Sequence, residues 1–360
     1  MDKRDYWAFV STIDNIYSNK IDKLIKVLGK PEHLYHNSEK ELKKAKIDLK
    51  TIKAIQAAKE KFEVKRFYEQ LQKDNIKFVS LDDMEYPAKL LPYDHKPYYL
   101  FVKGNLPDAN KPSVAIIGAR NCTNYGRNMA KDIARDLSQN GVQVISGMAR
   151  GIDTYSHIGA LEGEAPTYAV LGCGVNYCYP QENIEVYNDI LRAGGVISEY
   201  AINDAPLTWH FPQRNRIISG LADLIVVVEA REKSGSLITV EWALEQGKDI
   251  MAVPGRVCDK LSGGCNRLIK IGAGVVTGAQ DILEELDMKG IFLGKESKSP
   301  DNIYEADVAK VYDALDIEPK NISEIIVETD IKYENAVECL LKLQLTGQIV
   351  EVTNGYYCKK

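Results

Sequence analysis

Apolar residues recur at helical spacing through the first 65 positions, in Ile21, Leu24, Ile25 and Leu28 and again in Leu42, Ile47, Leu49, Ile52 and Ile55, with charges on the other faces. That periodicity predicts a small all-helical domain, broken near Gly29-Lys30-Pro31 and Asp48. Between 66 and 112 the pattern changes to a lead-in helix and two strands, around 77–81 and 98–104. From 113 to 286 short β-branched runs at 114–117, 142–146, 167–171, 196–198, 224–228, 249–253 and 275–277 alternate with helical segments at 126–139, 154–161, 184–192, 237–245 and 280–285. Alternation of this kind predicts an α/β fold, a mostly parallel sheet with helices on both faces. Residues 288–302 are rich in Lys, Gly and Ser and read as a linker. In 303–360, about three helices precede two strand-like runs split by Asn354-Gly355, a strong hairpin signal, and helices followed by a hairpin fit a winged helix.

Composition narrows the classes. A chain of 360 residues with 45% hydrophobic content holds one large domain and one or two small ones. The net charge of −5 excludes a bulk positive field, so any phosphate must be held by a local patch. The first residues lack a signal-peptide apolar region and no run reaches membrane-spanning length, so a cytoplasmic protein without membrane contact is expected. Seven cysteines with no Cys-x-x-Cys pair argue for reduced thiols, and five histidines in no ligand arrangement leave no metal site to expect.

In a doubly wound sheet the ligand sits outside the carboxyl ends of the strands. The segments there are Gly118-Ala119-Arg120, Ser146-Gly147 through Asp153, Gly172-Cys173-Gly174, Ser234-Gly235-Ser236 and the loop from Pro254-Gly255 to Asn266. Such loops expose backbone N–H groups and helix N-termini that favour anions. The run His210-Phe-Pro-Gln-Arg214-Asn215-Arg216 adds two guanidiniums whose rigid forks match phosphate oxygens. Arg120, Arg214 and Arg216 are therefore expected on one sheet edge. Trp209, Phe211, Tyr179 and Tyr125 lie beside these loops, and Trp209 and Phe211 flank the arginine run closely enough to be the expected stacking surfaces.

No cofactor is expected. The first strand lacks a Gly-x-Gly-x-x-Gly fingerprint and the chain lacks a Gly-x-x-x-x-Gly-Lys-Ser/Thr loop. Asp153 and His157 stand four apart and invite an acid–base reading, but a capping Asp and a packed His account for them better. No catalytic set assembles, so a binding protein is expected in place of an enzyme.

The segments Ser146–Asp153, Phe211–Leu221, Ser234–Thr239, Ala252–Gly255 and Gly264–Lys270 occur in the order seen in the bacterial DNA-processing protein A family (DprA or Smf), which this chain resembles over about 110–286. The resemblance implies an extended Rossmann-like fold over 66–287, a sterile-alpha-motif-like domain over 1–65 and a winged helix over 303–360. It implies single-stranded DNA binding, a homodimer through the Rossmann-like domain, and loading of the RecA recombinase in natural transformation. The strand site it implies takes in Gly118, Arg120, Ser146, Gly147 and Phe211 to Arg216. With the loop residues above, the candidate site is Gly118, Arg120, Ser146, Gly147, Trp209, Phe211, Arg214, Asn215, Arg216, Ser234, Gly235, Ser236 and Asn266. Two departures stand out. The family has Gly-Ser-Arg where this chain has Gly118-Ala119-Arg120, which removes a hydroxyl from the phosphate site. The N-terminal segment has no glycine hairpin of the helix-hairpin-helix kind, so it is given no DNA role. Two other classes remain: a nucleotide phosphoribohydrolase, whose Pro-Gly-Gly-x-Gly-Thr run is missing here, and an adaptor acting through the tail. From 301 to 360 there are twelve acidic and six basic residues, and the expected recognition helix near 333–345 carries Glu334 and Glu338 against Lys342. That balance favours protein contact over DNA contact for the tail.

Overall fold

The computed structural model describes residues 1–291, 306–316, 318–329, 331–353 and 355–359. Two compact units divide the chain, 1–293 and 294–360. In the first, nine strands form one sheet: β1 (Ile76–Ser80), β2 (Tyr99–Gly104), β3 (Ser113–Ile117), β4 (Gln143–Ser146), β5 (Thr167–Val170), β6 (Gly195–Ser198), β7 (Leu224–Val227), β8 (Asp249–Ala252) and β9 (Gly274–Val275). Their spatial order is β1-β2-β6-β5-β4-β3-β7-β8-β9. The β1–β2 and β2–β6 pairs at one edge are antiparallel, and the pairs from β6 through β9 are parallel.

The central strands read as unbroken apolar runs because both faces are covered. Val114 and Ile116 of β3, with Leu224 and Val226 of β7, pack on one face against Ala130, Ile133 and Leu137 of helix Asn124–Gln139. Their alternates Ala115, Ile117, Ile225 and Val227 pack on the other face with Ile217, Ile218 and Leu221 of helix His210–Leu221. The period of two in side-chain direction thus distributes one run of residues to two cores.

The N-terminal helices are not a unit apart. Trp7, Phe9, Ile21, Leu42 and Ile55 share a core with Phe78 of β1, Phe101 of β2 and Val196 of β6, so no boundary between compact units falls at residue 65. The periodicity showed that those helices bury a face, but not that the buried face meets the sheet.

The second unit has helices Ala306–Ala314, Ile322–Thr329 and Tyr333–Leu345 and strands β10 (Lys320–Asn321), β11 (Ile349–Thr353) and β12 (Tyr356–Lys359) in antiparallel order β10-β12-β11. Val311, Leu315, Ile325, Leu340 and Leu343 form its core. Gly355 supplies the positive φ of 80° in the hairpin, while Asn354 and most of the expected linker 288–302 lie outside the described residues. Among the described residues no helix is long and apolar enough to cross a membrane.

Candidate functional site

From β3 the chain builds outward through β4, β5 and β6, then returns to place β7 on the other side of β3. The loops leaving β3 and β7 therefore diverge, and a crevice opens at the carboxyl ends of the two strands. A cleft of about 490 Å³ occupies this point.

Its first wall is Gly118-Ala119-Arg120-Asn121 after β3. Glycine is required at 118: a Cβ there would stand 2.7 Å from Ile152 Cγ1 and 2.9 Å from the Glu229 carbonyl oxygen. Close packing of that loop leaves the exposed Arg120 side chain at the rim. The opposite wall is the β7 loop, with Arg231, Lys233 and Ser234-Gly235-Ser236 leading into helix Ser236–Glu245. Ser234 Oγ and Ser236 Oγ lie 2.8 Å apart, so the two hydroxyls hold one another across the helix start.

The floor is helix His210–Leu221, which is not among the helical segments expected from the sequence. Pro212 falls in the first turn, where no intrahelical N–H is needed. Helical spacing then sends Phe211, Arg214, Asn215 and Ile218 toward the cleft, at i, i+3, i+4 and i+7. Arg216 lies roughly 200° around the helix from Arg214. Its guanidinium pairs with Glu199, just beyond β6, and donates to Ser18 Oγ at 2.7 Å. Only 2% of Arg216 is exposed and it does not line the cleft. The expected grouping of three arginines is corrected to two, with Arg216 tying the floor helix to the N-terminal helices.

Arg214 is buried but belongs to the cleft wall. It donates to the Gly147 carbonyl at 2.7 Å, to the Val170 carbonyl, and to Asn215 Oδ1 at 3.2 Å. Burial lowers its pKa, with Asp153 opposing. Asp153 Oδ2 accepts from the N–H groups of Gly147 and Ala149 at 3.2 and 3.4 Å. Burial pushes that carboxyl up to about 6 in spite of Arg214, the two backbone donors and Arg120. A Cβ at Gly147 would lie 2.7 Å from both Arg214 Nη2 and Asp153 Oδ2. Gly147 therefore leaves room for both Arg214 and Asp153 to bond to its backbone beneath the cleft.

Phe211 links the cations to an aromatic face. The Arg120 and Arg214 guanidinium carbons lie 5.4 and 5.9 Å from its ring centre, and Tyr179 stacks on it at 5.6 Å. Four basic residues, Arg120, Arg214, Arg231 and Lys233, line a cleft whose acidic side chain is the buried Asp153. A chain of net charge −5 thus concentrates positive charge at one place.

Three other sequence candidates stand elsewhere. Ser146 Oγ donates to the Ile116 carbonyl at 2.6 Å and is fully buried, so it ties β4 to β3. Asn266 brackets Gly255, accepting its N–H at 3.2 Å and donating to its carbonyl at 2.9 Å. Trp209 packs edge-on against Tyr17 at 4.7 Å, beside a different hollow. His157 is no partner for Asp153: its Nδ1 lies 2.8 Å from Thr167 Oγ1, and burial drives its pKa down to about 3. Sequence reasoning missed Asn121, Thr208, Arg231 and Lys233. The last two had a signal, since they sit between a recognised strand end and the recognised Ser-Gly-Ser turn.

A family model described as DNA recombination-mediator protein A matches residues 77–287. The DNA processing protein DprA of Streptococcus pneumoniae is 43% identical over 220 residues, 60% of this chain and 77% of its own length. An X-ray structure of DNA processing protein A from Streptococcus pneumoniae superposes with a TM-score of 0.67 at 32% identity, covering 79% of this chain and 98% of that one. DNA processing protein A from Helicobacter pylori, described for its single-stranded DNA binding mode, gives a TM-score of 0.53 at 28% identity over 59% of this chain and 97% of its own.

Proposed function

The chain belongs to the DNA recombination-mediator protein A family, and from that premise we propose that it binds single-stranded DNA in the cleft between β3 and β7. The observation that carries this reading is the cleft lined by Arg120, Arg214, Arg231 and Lys233, with the first two guanidiniums beside the Phe211 ring on which Tyr179 stacks. A single strand needs phosphate donors along a groove and aromatic faces for its unstacked bases, and both meet here. The strand it holds is passed to the RecA recombinase in recombination, including uptake of foreign DNA where the host performs it. The protein works as a homodimer through the sheet unit and carries out no chemistry on the nucleotide.

The reading of the cleft as a phosphoribohydrolase site has one observation in its favour, the Asp153 carboxyl held near the cleft with a pKa of about 6. That carboxyl faces Arg214 and the Gly147 and Ala149 N–H groups, where it fixes the loop after β4. Titration with labelled single- and double-stranded oligonucleotides at two salt concentrations tests the binding reading. Preference for the single strand with salt-dependent affinity is expected. Base release from nucleoside monophosphates, abolished by Asp153→Asn, would replace binding with catalysis.

A further inference from the structure

Beside the cleft lies a second hollow of about 860 Å³, between the first turn of helix Asn124–Gln139 and the loop 254–262. Leu261 lines both hollows. Its carbonyl accepts the Ala230 N–H at 2.8 Å, which pins the loop to the end of β7 and makes Leu261 the divide between them.

The loop backbone is firmly held. Asn266 brackets Gly255 on both its polar groups, and a Cβ at 255 would stand 2.1 Å from Ser262 Oγ. Its side chains are a different matter. Arg256 and Lys260 are exposed, and among the described residues neither has an ion-pair partner. Across the hollow stands Tyr125, a residue 51% exposed, with its hydroxyl 3.4 Å from the Pro254 carbonyl oxygen. Two acids belong to the same walls. Glu229 is buried and accepts from the Thr123 N–H at 2.9 Å and the Thr123 hydroxyl at 2.5 Å, so its charge answers the start of the helix. Asp259 is exposed beside Cys258.

An open aromatic face opposite two cations with no ion-pair partner among the described residues suits a nucleotide, with the base on the ring and the phosphate between the cations. We propose that this hollow is a second nucleotide subsite, taken by the strand after it leaves the main cleft past Leu261. The proposal rests on the reading of the main cleft as the strand site, and it assigns Tyr125, Arg256 and Lys260 to binding.

The test uses the full chain and oligothymidylates of about four and about sixteen nucleotides, the first too short to span both hollows. Tyr125→Ala should weaken the long oligonucleotide about tenfold and leave the short one unchanged, while Tyr125→Phe keeps parent affinity because it keeps the ring. Arg256→Gln with Lys260→Gln should reduce the salt slope for the long oligonucleotide alone, by roughly 0.7 for each phosphate no longer neutralised. All the substituted side chains are exposed or half exposed, and equal melting temperatures exclude a folding defect. Parent affinity of the variants for the long oligonucleotide would overturn the second subsite and leave the main cleft standing. An equal loss for both lengths would overturn it too, by merging the two hollows into one site. A parent protein that binds neither length would instead remove the reading of the main cleft.

Discussion

Arg214→Ala, Arg216→Ala and Arg120→Ala should fail in three different ways, because three guanidiniums close in sequence or space meet different surroundings. Arg216 and Glu199 are both almost wholly buried, so truncation strands a carboxylate in the interior and should cost about 3–5 kcal/mol of stability. The fraction that folds should still bind the strand. Arg120 is exposed and stabilises little, but a charge-assisted hydrogen bond to phosphate supports about 1.5–3 kcal/mol, or tenfold to a hundredfold in affinity. Arg214 should lose both properties. Thermal melts and oligonucleotide titrations on the same three variants check this, and an Arg120→Ala protein of unchanged affinity would take that residue out of the site. Residue type and strand position sufficed to mark Arg120 and Arg214. They could not mark Arg216, whose partner stands 17 residues upstream in another loop. The acids nearer in sequence are engaged elsewhere, Asp223 with Lys89 at 2.6 Å and Glu229 with Thr123. A second prediction concerns His157 and Asp153. Below 6.5 an unfolded His157 takes a proton that the folded one refuses until about 3, so its contribution to stability is lost as pH falls. Asp153 has the opposite sign: between 3.8 and about 6 the folded carboxyl holds a proton the unfolded one releases, so its contribution grows as pH falls. The two oppose one another over that window. His157→Gln should therefore retain more stability than the parent on acidification, by about 1.4 kcal/mol per pH unit at most. Urea midpoints at pH 7 and pH 5 test it, and identical pH dependence of the two proteins would contradict it.

The glycines of the cleft loops separate those that the elements need from those that only ease a turn. Gly151 caps helix Ile152–Leu161 with a φ of 76°, and a Cβ there would stand 2.2 Å from the Ala119 carbonyl oxygen. Gly118 is hemmed in by Ile152. Gly235, at φ −62° with nothing within 4 Å of an added Cβ, is free to be alanine. Gly118→Ala should thus destabilise by about 1–3 kcal/mol through overpacking. Gly235→Ala should be neutral or stabilising by about 0.4–1 kcal/mol, through the unfolded chain. Denaturant midpoints decide, and a Gly235→Ala protein as unstable as Gly118→Ala would mean that the β7 loop is held by contacts beyond these. The strands were legible because fully buried parallel strands leave unbroken β-branched runs. Helix His210–Leu221 was not, since Phe211-Pro212 resembles a break and its three polar residues resemble a loop. The structure resolves both signals by geometry: the proline lies in the first turn, and Arg214 faces the cleft while Arg216 turns inward to Glu199 and Ser18.

At the scale of the whole chain, the sheet unit and the tail differ in charge and in what they present. Alternating strands and helices made the sheet's layering readable, and the Asn354-Gly355 signal made the tail hairpin readable. The attachment of the N-terminal helices to the sheet was hidden, because an amphipathic stripe records that a face is covered and not by what. The tail carries twelve acidic residues to six basic ones over 301–360, so phosphate contact, which dominates affinity for nucleic acid, is disfavoured there. Helix Tyr333–Leu345 exposes Tyr333, Val337 and Leu341 at i, i+4 and i+8, an apolar stripe on the element that would carry basic residues in a DNA reader. Exposed apolar stripes of this kind suit protein contact. The cations of the proposed strand site all lie in the first unit. Removing residues 294–360 should therefore leave single-strand affinity and its salt slope close to those of the full chain, while Tyr333→Ala with Leu341→Ala in the full chain should change neither. Titration of the truncated and full-length proteins against one oligonucleotide at two salt concentrations is the measurement. A loss of more than about tenfold on truncation, equivalent to roughly 1.4 kcal/mol, would give the tail a share of the strand that its charge does not suggest.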